Sequence, residues 1–329
     1  MTKGLIKIFK VIIYNCGIVL LLFIVLEISL RLFVPEIKLP GTQRNLIQDS
    51  LFYDSQGLKS NSQGLSAGTK KTVNSNNFWD YSKKNKAREK ILLIGDSVTM
   101  GIGIENDSTF AGIINNSCGN IQILNPSLIG YSSHDYKNII HKLIIDDRNS
   151  LGLKEIYICW TLNDIYSNSL IPNTLEFNSG TLWGNIVVFI RSKLYLYQFI
   201  KNIFTDRPKS YFLFDSKFYN SNNQLSRKAL SDLYDIIGMC DKSKIKLKFV
   251  MFPYEYQLRN NSYSSNNGPQ MYIQEILSDY NVQFYDAEKA FKNKIFNSKR
   301  YYLYGDGIHF SDLGHRLIAY YLKTTLNCI

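Results

Sequence analysis

Residues 90–101, KILLIGDSVTMG, decide the fold of this chain, because a short apolar run leads directly into a glycine and a serine. Residues 90–95 have the length and composition of a buried strand. The side chains that follow such a strand lie at the edge where open α/β sheets place their ligands. Ser97, just beyond the apolar run, is therefore the first candidate for a functional side chain.

Similar apolar runs recur along the chain and are separated by helical patterns. The other predicted strands are residues 121–125, 155–160, 247–252 and 282–285. The spacing of apolar residues predicts helices over 109–116, 133–146, 225–240, 270–280 and 311–326, the last with Ser311 at its N-cap. Strands that alternate with helices predict a parallel sheet that is covered on both faces.

The N-terminal region has the pattern of a membrane helix. Residues 11–26 are 16 uncharged and mostly apolar positions that follow three lysines. They span about 24 Å, and the apolar character continues to residue 34. Glu27 and Arg31 interrupt it, but on a helix they lie on one face and can pair near the membrane interface. We therefore expect residues 1–34 to form a single-pass anchor.

Two further points concern this anchor. A cleaved signal peptide is the competing interpretation, but no small-x-small site follows the apolar stretch. The basic residues on its two sides are nearly balanced in number, and the free amino terminus favours an orientation with the N-terminus inside. The rest of the chain is then expected outside the cytoplasm, in a periplasm or at the cell surface.

The remaining chain divides into two predicted regions. Residues 35–88 have few apolar clusters and are interpreted as a linker with irregular structure, whereas residues 89–329 hold the alternating strands and helices. Within the second region, residues 165–223 form an apolar and aromatic insertion between the third and fourth strands. This insertion is a lid over a site, a second contact with the membrane surface, or an ordinary helix pair packed on the sheet.

Composition excludes several classes of protein. The chain has 329 residues, 45% of them hydrophobic, and a formal net charge of +11. A basic surface favours anionic lipid headgroups or acidic glycans, although a composition rich in lysine explains the charge more simply. The chain contains no nucleic-acid-binding motif. Five cysteines without a C-x-x-C pair and only four histidines imply no metal site, and no organic cofactor is implied. Cys159 is expected in the core, and the sequence assigns no disulfide.

A second group of polar residues lies near the C-terminus. Residues 305–309, GDGIH, precede the last predicted helix and place Asp306 and His309 in one loop. A serine hydroxyl is a poor nucleophile until a base takes its proton, and an imidazole does so near neutral pH. A neighbouring carboxylate fixes the imidazole tautomer and stabilises the imidazolium. Ser97, His309 and Asp306 are therefore a candidate nucleophile, base and orienting acid.

Four ordered segments of the chain resemble the sequence blocks of the SGNH or GDSL hydrolase family. Residues 95–97 match its G-D-S opening, and Gly130 matches the glycine of its second block. Residues 161–164 match G-x-N-D except that Thr161 stands where glycine is usual, and residues 306–309 match D-x-x-H. The resemblance implies an α/β fold of three layers, α/β/α and flavodoxin-like, with about five parallel strands.

The resemblance also implies roles for individual residues. Ser97 would be the catalytic nucleophile, with His309 and Asp306 as its partners. The oxyanion would be bound by the backbone N–H groups of Ser97 and Gly130 and by the side-chain amide of Asn163. Each such donor is worth roughly 3–4 kcal/mol in the transition state.

The other polar candidates have simpler interpretations. His315 is expected on a face of the last helix. His134 and His141 are expected on the solvated surface, although His134 is near enough to Gly130 in the sequence to border a pocket. Asp164 is expected to cap or brace its loop.

These observations favour a membrane-anchored esterase that removes short acyl groups from cell-surface glycans or lipids. An O-acyltransferase is the close alternative, in which a sugar hydroxyl replaces water. Because the chain has one predicted span, transfer would require a separate multi-span partner that supplies the acyl donor. A non-catalytic binding protein of the same fold is the third hypothesis, and the complete set of five site residues argues against it.

Overall fold

The computed structural model describes residues 2–34, 36–39, 43–83, 89–166, 181–261, 263–292 and 295–328. Helix α1 (Thr2–Phe33) begins the chain. Its stretch Ile6–Phe33 is apolar and almost wholly exposed, and it is long enough to cross a membrane. The predicted N-terminal helix is therefore present with the length and composition of a membrane span.

Two β-hairpins follow α1, where the sequence analysis expected an irregular linker. Strand β1 (Ile47–Phe52) pairs antiparallel with β2 (Ser55–Leu58), and β3 (Gln63–Ser66) pairs antiparallel with β4 (Thr69–Thr72). The apolar residues of this segment stand singly or in groups of two or three between polar ones, so the sequence contains no apolar run of the length that indicates a strand. Residues 35, 40–42 and 84–88 of the predicted linker lie outside the described residues.

The hairpin segment belongs to the core. Leu46, Leu58 and Trp79 are almost fully buried in the main hydrophobic cluster. The indole N–H of Trp79 donates to the backbone carbonyl of Ser127 at 2.9 Å. The backbone N–H of Trp79 donates to the backbone carbonyl of Asn125 at 3.0 Å. The segment therefore braces the loop that contains Ser127 and Asn125, beside the main sheet.

The main sheet has five parallel strands, as predicted. They are β5 (Glu89–Gly95), β6 (Ile121–Leu124), β7 (Leu153–Trp160), β8 (Lys246–Met251) and β9 (Gln283–Asp286), in the spatial order β6-β5-β7-β8-β9. Each strand begins and ends within two residues of the predicted run. Cys159 is fully buried in β7, in the core position expected of it.

Helices connect these strands and cover both faces of the sheet. They are α2 (Ser97–Met100), α3 (Phe110–Ser117), α4 (Ser133–His141), α5 (Leu182–Lys193), α6 (Tyr195–Phe204), α7 (Arg207–Asp215), α8 (Gln224–Lys242), α9 (Tyr263–Asn266), α10 (Gly268–Ser278) and α11 (Asp312–Thr325). Helix α3 packs with α11, and α4 packs with α8. The side chain of Ser311 caps α11 by accepting the N–H of Gly314 at 3.3 Å, as predicted. The predicted three-layer α/β/α fold is therefore confirmed.

The strand order places a crevice at the end of β5. The chain passes from β5 to β6 on one side, and then returns past β5 to β7 on the other. Right-handed crossovers in opposite directions put α3 and α4 on opposite faces of the sheet. The loops that leave β5 and β7 therefore diverge, and ligands of open α/β sheets bind between such loops.

The predicted insertion contains three helices within its described part. Helices α5, α6 and α7 lie between β7 and α8, and residues 167–180 lie outside the described residues. Two buried side chains, Phe212 and Asp215, fix α7 to the rest of the molecule. The insertion is thus folded onto the domain from at least α7 onwards.

One disulfide joins distant parts of the domain. Cys118 at the end of α3 is bonded to Cys328 after α11, with 5.8 Å between their Cα atoms. Cys159 and Cys240 are buried and free, and Cys16 is exposed on α1. The bond closes a loop of 210 residues and ties the last helix to the face of the sheet that α3 covers.

Removing this disulfide should destabilise the domain. We expect Cys118→Ser to lower the free energy of unfolding by about 2–4 kcal/mol, because the unfolded chain loses its cross-link. Urea unfolding of the full chain in detergent, without reductant, measures the difference. Cys16→Ser is the control, because that thiol is exposed and free. Equal stability of Cys118→Ser and the unchanged protein would show that the bond is not formed.

Candidate active site

The candidate nucleophile lies on a sharp turn between β5 and α2. Gly95 ends the strand at a position where a Cβ would lie 2.1 Å from the hydroxyl oxygen of Thr99, so the close packing requires glycine. Asp96 caps α2 by accepting the N–H of Val98 at 2.9 Å. Ser97 then begins the helix at the carboxyl edge of the sheet, with only 6% of its surface exposed.

The other end of this short helix is held by the hairpin segment. Gly101 ends α2 in the left-handed conformation, with φ +74°. The buried ammonium of Lys71 in β4 donates to the carbonyl of Met100 at 3.1 Å. Burial lowers the pKa of Lys71 to about 7, and the nearby Glu105 carboxylate partly opposes that change. The helix that carries Ser97 is therefore fixed at its start by Asp96 of the G-D-S motif and at its end by Lys71, which lies outside that motif.

His309 contacts Ser97, and Asp306 contacts His309, in the order that acyl transfer requires. Nε2 of His309 lies 2.8 Å from Oγ of Ser97, and Nδ1 lies 2.9 Å from both carboxylate oxygens of Asp306. Asp306 also accepts the backbone N–H groups of Ile308 at 2.9 Å and of His309 at 2.7 Å. The loop backbone thus orients the carboxylate, and the carboxylate orients the imidazole.

The charges of this pair stabilise one another. Burial disfavours the ionised carboxylate of Asp306, but the attraction of His309 and the loop hydrogen bonds outweigh it and lower the pKa to about 2. Burial likewise disfavours the imidazolium, but the attraction of Asp306 raises the pKa of His309 above its ordinary value. At neutral pH Asp306 is therefore ionised and able to stabilise a protonated His309.

Asp96 joins Ser97 to the loop after β7. Its carboxylate is fully buried and lies 3.1 Å from Oγ of Ser97. It also accepts the hydroxyl of Thr161 at 3.1 Å and the side-chain amide of Asn163 at 3.3 Å. Thr161, which departs from the family pattern, thus provides a hydrogen bond that glycine could not. Sequence reasoning gave Asp96 no role, although its position directly before Ser97 was a signal for one.

Asp164 braces the same loop, as expected. Its carboxylate accepts the backbone N–H of Thr161 at 2.7 Å and forms a capping box with that residue. Burial raises the pKa of Asp164 well above its ordinary value, and repulsion from Asp96 adds to the change. The loop that presents Asn163 is therefore held by buried carboxyl groups on two sides.

Hydrogen bonds also lead from Asn163 into the insertion. The Tyr254 hydroxyl lies 3.2 Å from Oδ1 of Asn163 and 2.7 Å from Oδ2 of Asp215. Tyr166 donates to the other oxygen of Asp215 at 2.5 Å. Burial raises the pKa of Asp215, and the two tyrosine hydroxyls partly oppose that rise. The side-chain amide is therefore positioned by groups that come from three separate segments and that the sequence analysis did not single out.

Gly130 lies in the loop between β6 and α4, at the carboxyl edge of the sheet where Ser97 also lies. Its φ of +82° is in the region that favours glycine. Among the described residues, no acceptor is found for the backbone N–H of Ser97 or of Gly130. Both N–H groups are therefore free of partners within the described chain.

The insertion packs on the loop that carries Asp306. Gly305 and Gly307 flank Asp306 with φ of +65° and +77°. A Cβ at either glycine would lie 2.3 Å from the side chain of Asn202 in α6 or of Pro208 in α7, respectively. Helices α6 and α7 therefore pack against the loop that carries Asp306. None of the three interpretations of this segment included that contact.

A cavity of about 450 Å³ lies between the insertion and this loop. Residues 202–206 line one wall, and residues 302–307 line the other. Asp306 borders the cavity, whereas Ser97 and His309 do not. The cavity therefore lies behind the loop and not at the nucleophile.

The other histidines stand apart from this arrangement. His315 lies on α11 but is buried, and its Nδ1 accepts the N–H of Phe110 at 3.1 Å. Burial, together with the charges of Lys71 and His309, lowers the pKa of His315 to about 3. His134 contacts Asp54 at 3.0 Å at the surface, so neither of these rings reaches Ser97. His315 is therefore a neutral structural residue of the helix.

Comparisons with known proteins give a fold-level likeness. No protein-family model matches the chain, and no curated protein matches its sequence. A member of the lipolytic protein G-D-S-L family from Veillonella parvula aligns over 73% of this chain and 100% of its own, at 12% identity and a TM-score of 0.42. A lipase/acylhydrolase from Enterococcus faecalis aligns over 72% of this chain and 95% of its own, at 14% identity and a TM-score of 0.40. The acetyl xylan esterase AlAXEase aligns over 72% of this chain and 99% of its own, at 16% identity and a TM-score of 0.45. Similarity at this level carries no argument about the chemistry of this chain.

Changing Asp306 should lower the pKa of His309. In Asp306→Asn the attraction that raises this pKa is removed while burial remains, so the imidazole should hold its proton only at lower pH. Titration of ¹⁵N-histidine signals of the full chain in detergent micelles measures the change. Asp54→Asn is the matched control, because Asp54 contacts His134 and not His309. An unchanged His309 titration in Asp306→Asn would contradict the observed pairing.

Proposed function

We propose that this chain is a serine-dependent ester hydrolase of the SGNH type that is anchored to a membrane by α1. The observation that carries the proposal is the continuous contact from Ser97 Oγ through His309 to Asp306. These residues come from positions 97 and 306–309, at opposite ends of the domain, and the fold brings them within hydrogen-bonding distance. Such an arrangement activates a hydroxyl for attack on a carbonyl carbon.

The proposed reaction begins with the transfer of the Ser97 proton to Nε2 of His309. Oγ then forms a bond to the ester carbonyl carbon, and the carbonyl oxygen becomes an oxyanion. His309 returns the proton to the departing alkoxide as the ester C–O bond breaks, which leaves the acyl group on Ser97. Water loses a proton to His309 and attacks this acyl-enzyme. The carboxylic acid leaves as His309 returns the proton to Oγ.

Three donors are proposed to bind the oxyanion. The N–H groups of Ser97 and Gly130 have no acceptor among the described residues, so an oxyanion is a suitable partner for both. The amide of Asn163 carries two hydrogens, and its bond to Asp96 uses one of them. The second remains for the substrate. Donors that are fixed before the reaction lower the barrier most, because they need not reorganise when charge develops.

The proposed location is the outer side of a membrane. Helix α1 has the length of a span, and the Cys118–Cys328 bond suits an oxidising compartment. Esters of cell-surface glycans or lipids are the proposed substrates, since an anchored enzyme meets these first. An O-acyltransferase would share every step up to the acyl-enzyme and end with a sugar hydroxyl in place of water. Nothing in the described part of the chain favours transfer over hydrolysis.

Ser97→Ala should abolish the activity. We expect hydrolysis of a short-chain chromogenic ester by the full chain in detergent to fall about 10⁴-fold or more, with loss of labelling by a fluorophosphonate. Ser133→Ala is the matched control, because Ser133 is also buried and its hydroxyl also lies 3.1 Å from a carboxylate, that of Asp232. Labelling that survives in Ser97→Ala would reject Ser97 as the nucleophile. Acyl transfer to an added glycan, instead of release of free acid, would favour the transferase.

The contacts of Asn163 predict a graded pair of effects. Asn163→Ala should lower kcat about 10²–10³-fold with little change in KM, because the amide acts on the oxyanion and not on the bound ester. Tyr254→Phe removes only the hydroxyl that positions this amide and should lower kcat by up to about 10²-fold. Tyr157→Phe is the control, since Tyr157 is equally buried but bonds Lys248. If Tyr254→Phe changed KM alone, the positioning role would be wrong.

A further inference from the structure

Helices α5 and α6 expose an apolar surface that the proposed chemistry does not use. On α5 the exposed residues Leu182, Ile186 and Phe189 are spaced as on one face of a helix. On α6 Ile203 and Phe204 are 60% and 82% exposed. Large apolar patches on a folded protein mark contact with a partner or a membrane. We refer to these two exposed faces as the α5–α6 surface.

The end of α1 is bonded to the junction between these two helices. Glu27 accepts the backbone N–H groups of Tyr195 at 3.1 Å and of Leu196 at 2.9 Å, which satisfies the first turn of α6. Arg31 forms a salt bridge to Glu27 at 2.7 Å and donates to the carbonyl of Lys193, the last residue of α5, at 2.7 Å. The junction of α5 and α6 is therefore fixed to the last two turns of α1.

This attachment sets the level of α5 and α6 relative to a bilayer. About 20 residues of helix cross a hydrocarbon core of ~30 Å, so a span that ends just before Glu27 begins near Lys7. Glu27 and Arg31 then lie where α1 leaves the hydrocarbon. The α5–α6 junction lies at the same level, since it is bonded to both of them.

The composition of the two helices matches that level. Trp183 is 72% exposed at the start of α5, and tryptophan favours the boundary between headgroups and acyl chains. The two helices carry Arg191, Lys193 and Lys201 and no aspartate or glutamate. A basic, apolar and aromatic helix pair suits an interface with anionic headgroups better than a contact with a second copy of this basic chain.

We propose that the α5–α6 surface lies in the headgroup–acyl boundary of the same bilayer that α1 crosses. Asn202 and Pro208 of the insertion contact the loop that carries Asp306 and His309, so the same docking brings that loop to the membrane surface. Taken together with the proposed ester hydrolysis, this location narrows the substrate to an ester that is held in or at the bilayer. The docking itself does not depend on the chemistry of Ser97.

Trp183 provides a direct test, because the other two tryptophans are buried at 2% exposure or less. The full chain is reconstituted in vesicles of phosphatidylcholine and phosphatidylglycerol with brominated acyl chains. Bromine quenches only tryptophans that reach the acyl region, so we expect loss of the Trp183 share of the emission. In Trp183→Phe the remaining emission should be the same with and without bromine. Flotation of the vesicles measures anchoring by α1 separately.

A matched control places a tryptophan elsewhere at similar exposure. Tyr320 on α11 is 68% exposed and lies outside the α5–α6 surface. In Trp183→Phe combined with Tyr320→Trp, the new tryptophan should be quenched by aqueous iodide and not by bromolipid. Equal bromolipid quenching at both positions would contradict docking through α5 and α6.

Three other results would also overturn the proposal. In the first, the chain floats with the vesicles but Trp183 is quenched by iodide and not by bromolipid, which would mean that α1 alone contacts the membrane. In the second, Trp183 is protected from both quenchers, which would mean that a protein surface covers it. In the third, the chain does not float with the vesicles, and the proposed membrane location is wrong as a whole. Hydrolysis of a water-soluble ester in detergent, tested separately, decides the chemistry of Ser97 whatever the quenching shows.

Discussion

A fully buried carboxylate, that of Asp96, is the constraint on which the candidate site depends. A charged group without solvent is tolerated only when its oxygens are satisfied, and leaving one unpaired is costly. Here the donors are the N–H of Val98, the hydroxyl of Thr161 and the amide of Asn163, and Oγ of Ser97 lies 3.1 Å from the same carboxylate. Satisfying Asp96 thus requires the loop after β7 to lie against the turn after β5. The nucleophile and one proposed oxyanion donor are thereby held in register before any substrate binds.

Local patterns in the sequence were sufficient to predict the sheet and the pairing of Asp306 with His309. Each strand lies within two residues of a short, mostly apolar run, and Asp306 and His309 share one short loop, so neither prediction depends on distant contacts. The hairpins were missed because Leu46, Leu58 and Trp79 are far from one another in the sequence and become a cluster only when the chain folds back. Their role beside α2 follows from tertiary packing, which propensity does not report.

The residues that position Asn163 were missed for a related reason. Tyr254, Tyr166 and Asp215 come from three segments, and no spacing in the sequence relates them. The three residues are recognisable only when the structure places them together. Burial then raises the pKa of Asp215, and the hydroxyl groups of the two tyrosines partly oppose that rise. The insertion was predicted as an addition to the fold because about 85 residues separate the third predicted strand from the fourth, far more than one crossover needs. Through Asp215 it instead supplies a polar group to the interior.

The disulfide between Cys118 and Cys328 would have a mechanical consequence for a chain that is anchored, as proposed, through α1. The covalent loop begins after α3, so β5 and Ser97 precede it in the chain and lie between it and α1. Tension applied through α1 would reach β5 before it reached the cross-linked part of the domain. Because β5 is hydrogen-bonded to β6 on one side and β7 on the other, both ladders would share such a load in shear. Strand β5, which leads into Ser97, would thus also resist being pulled out of the sheet.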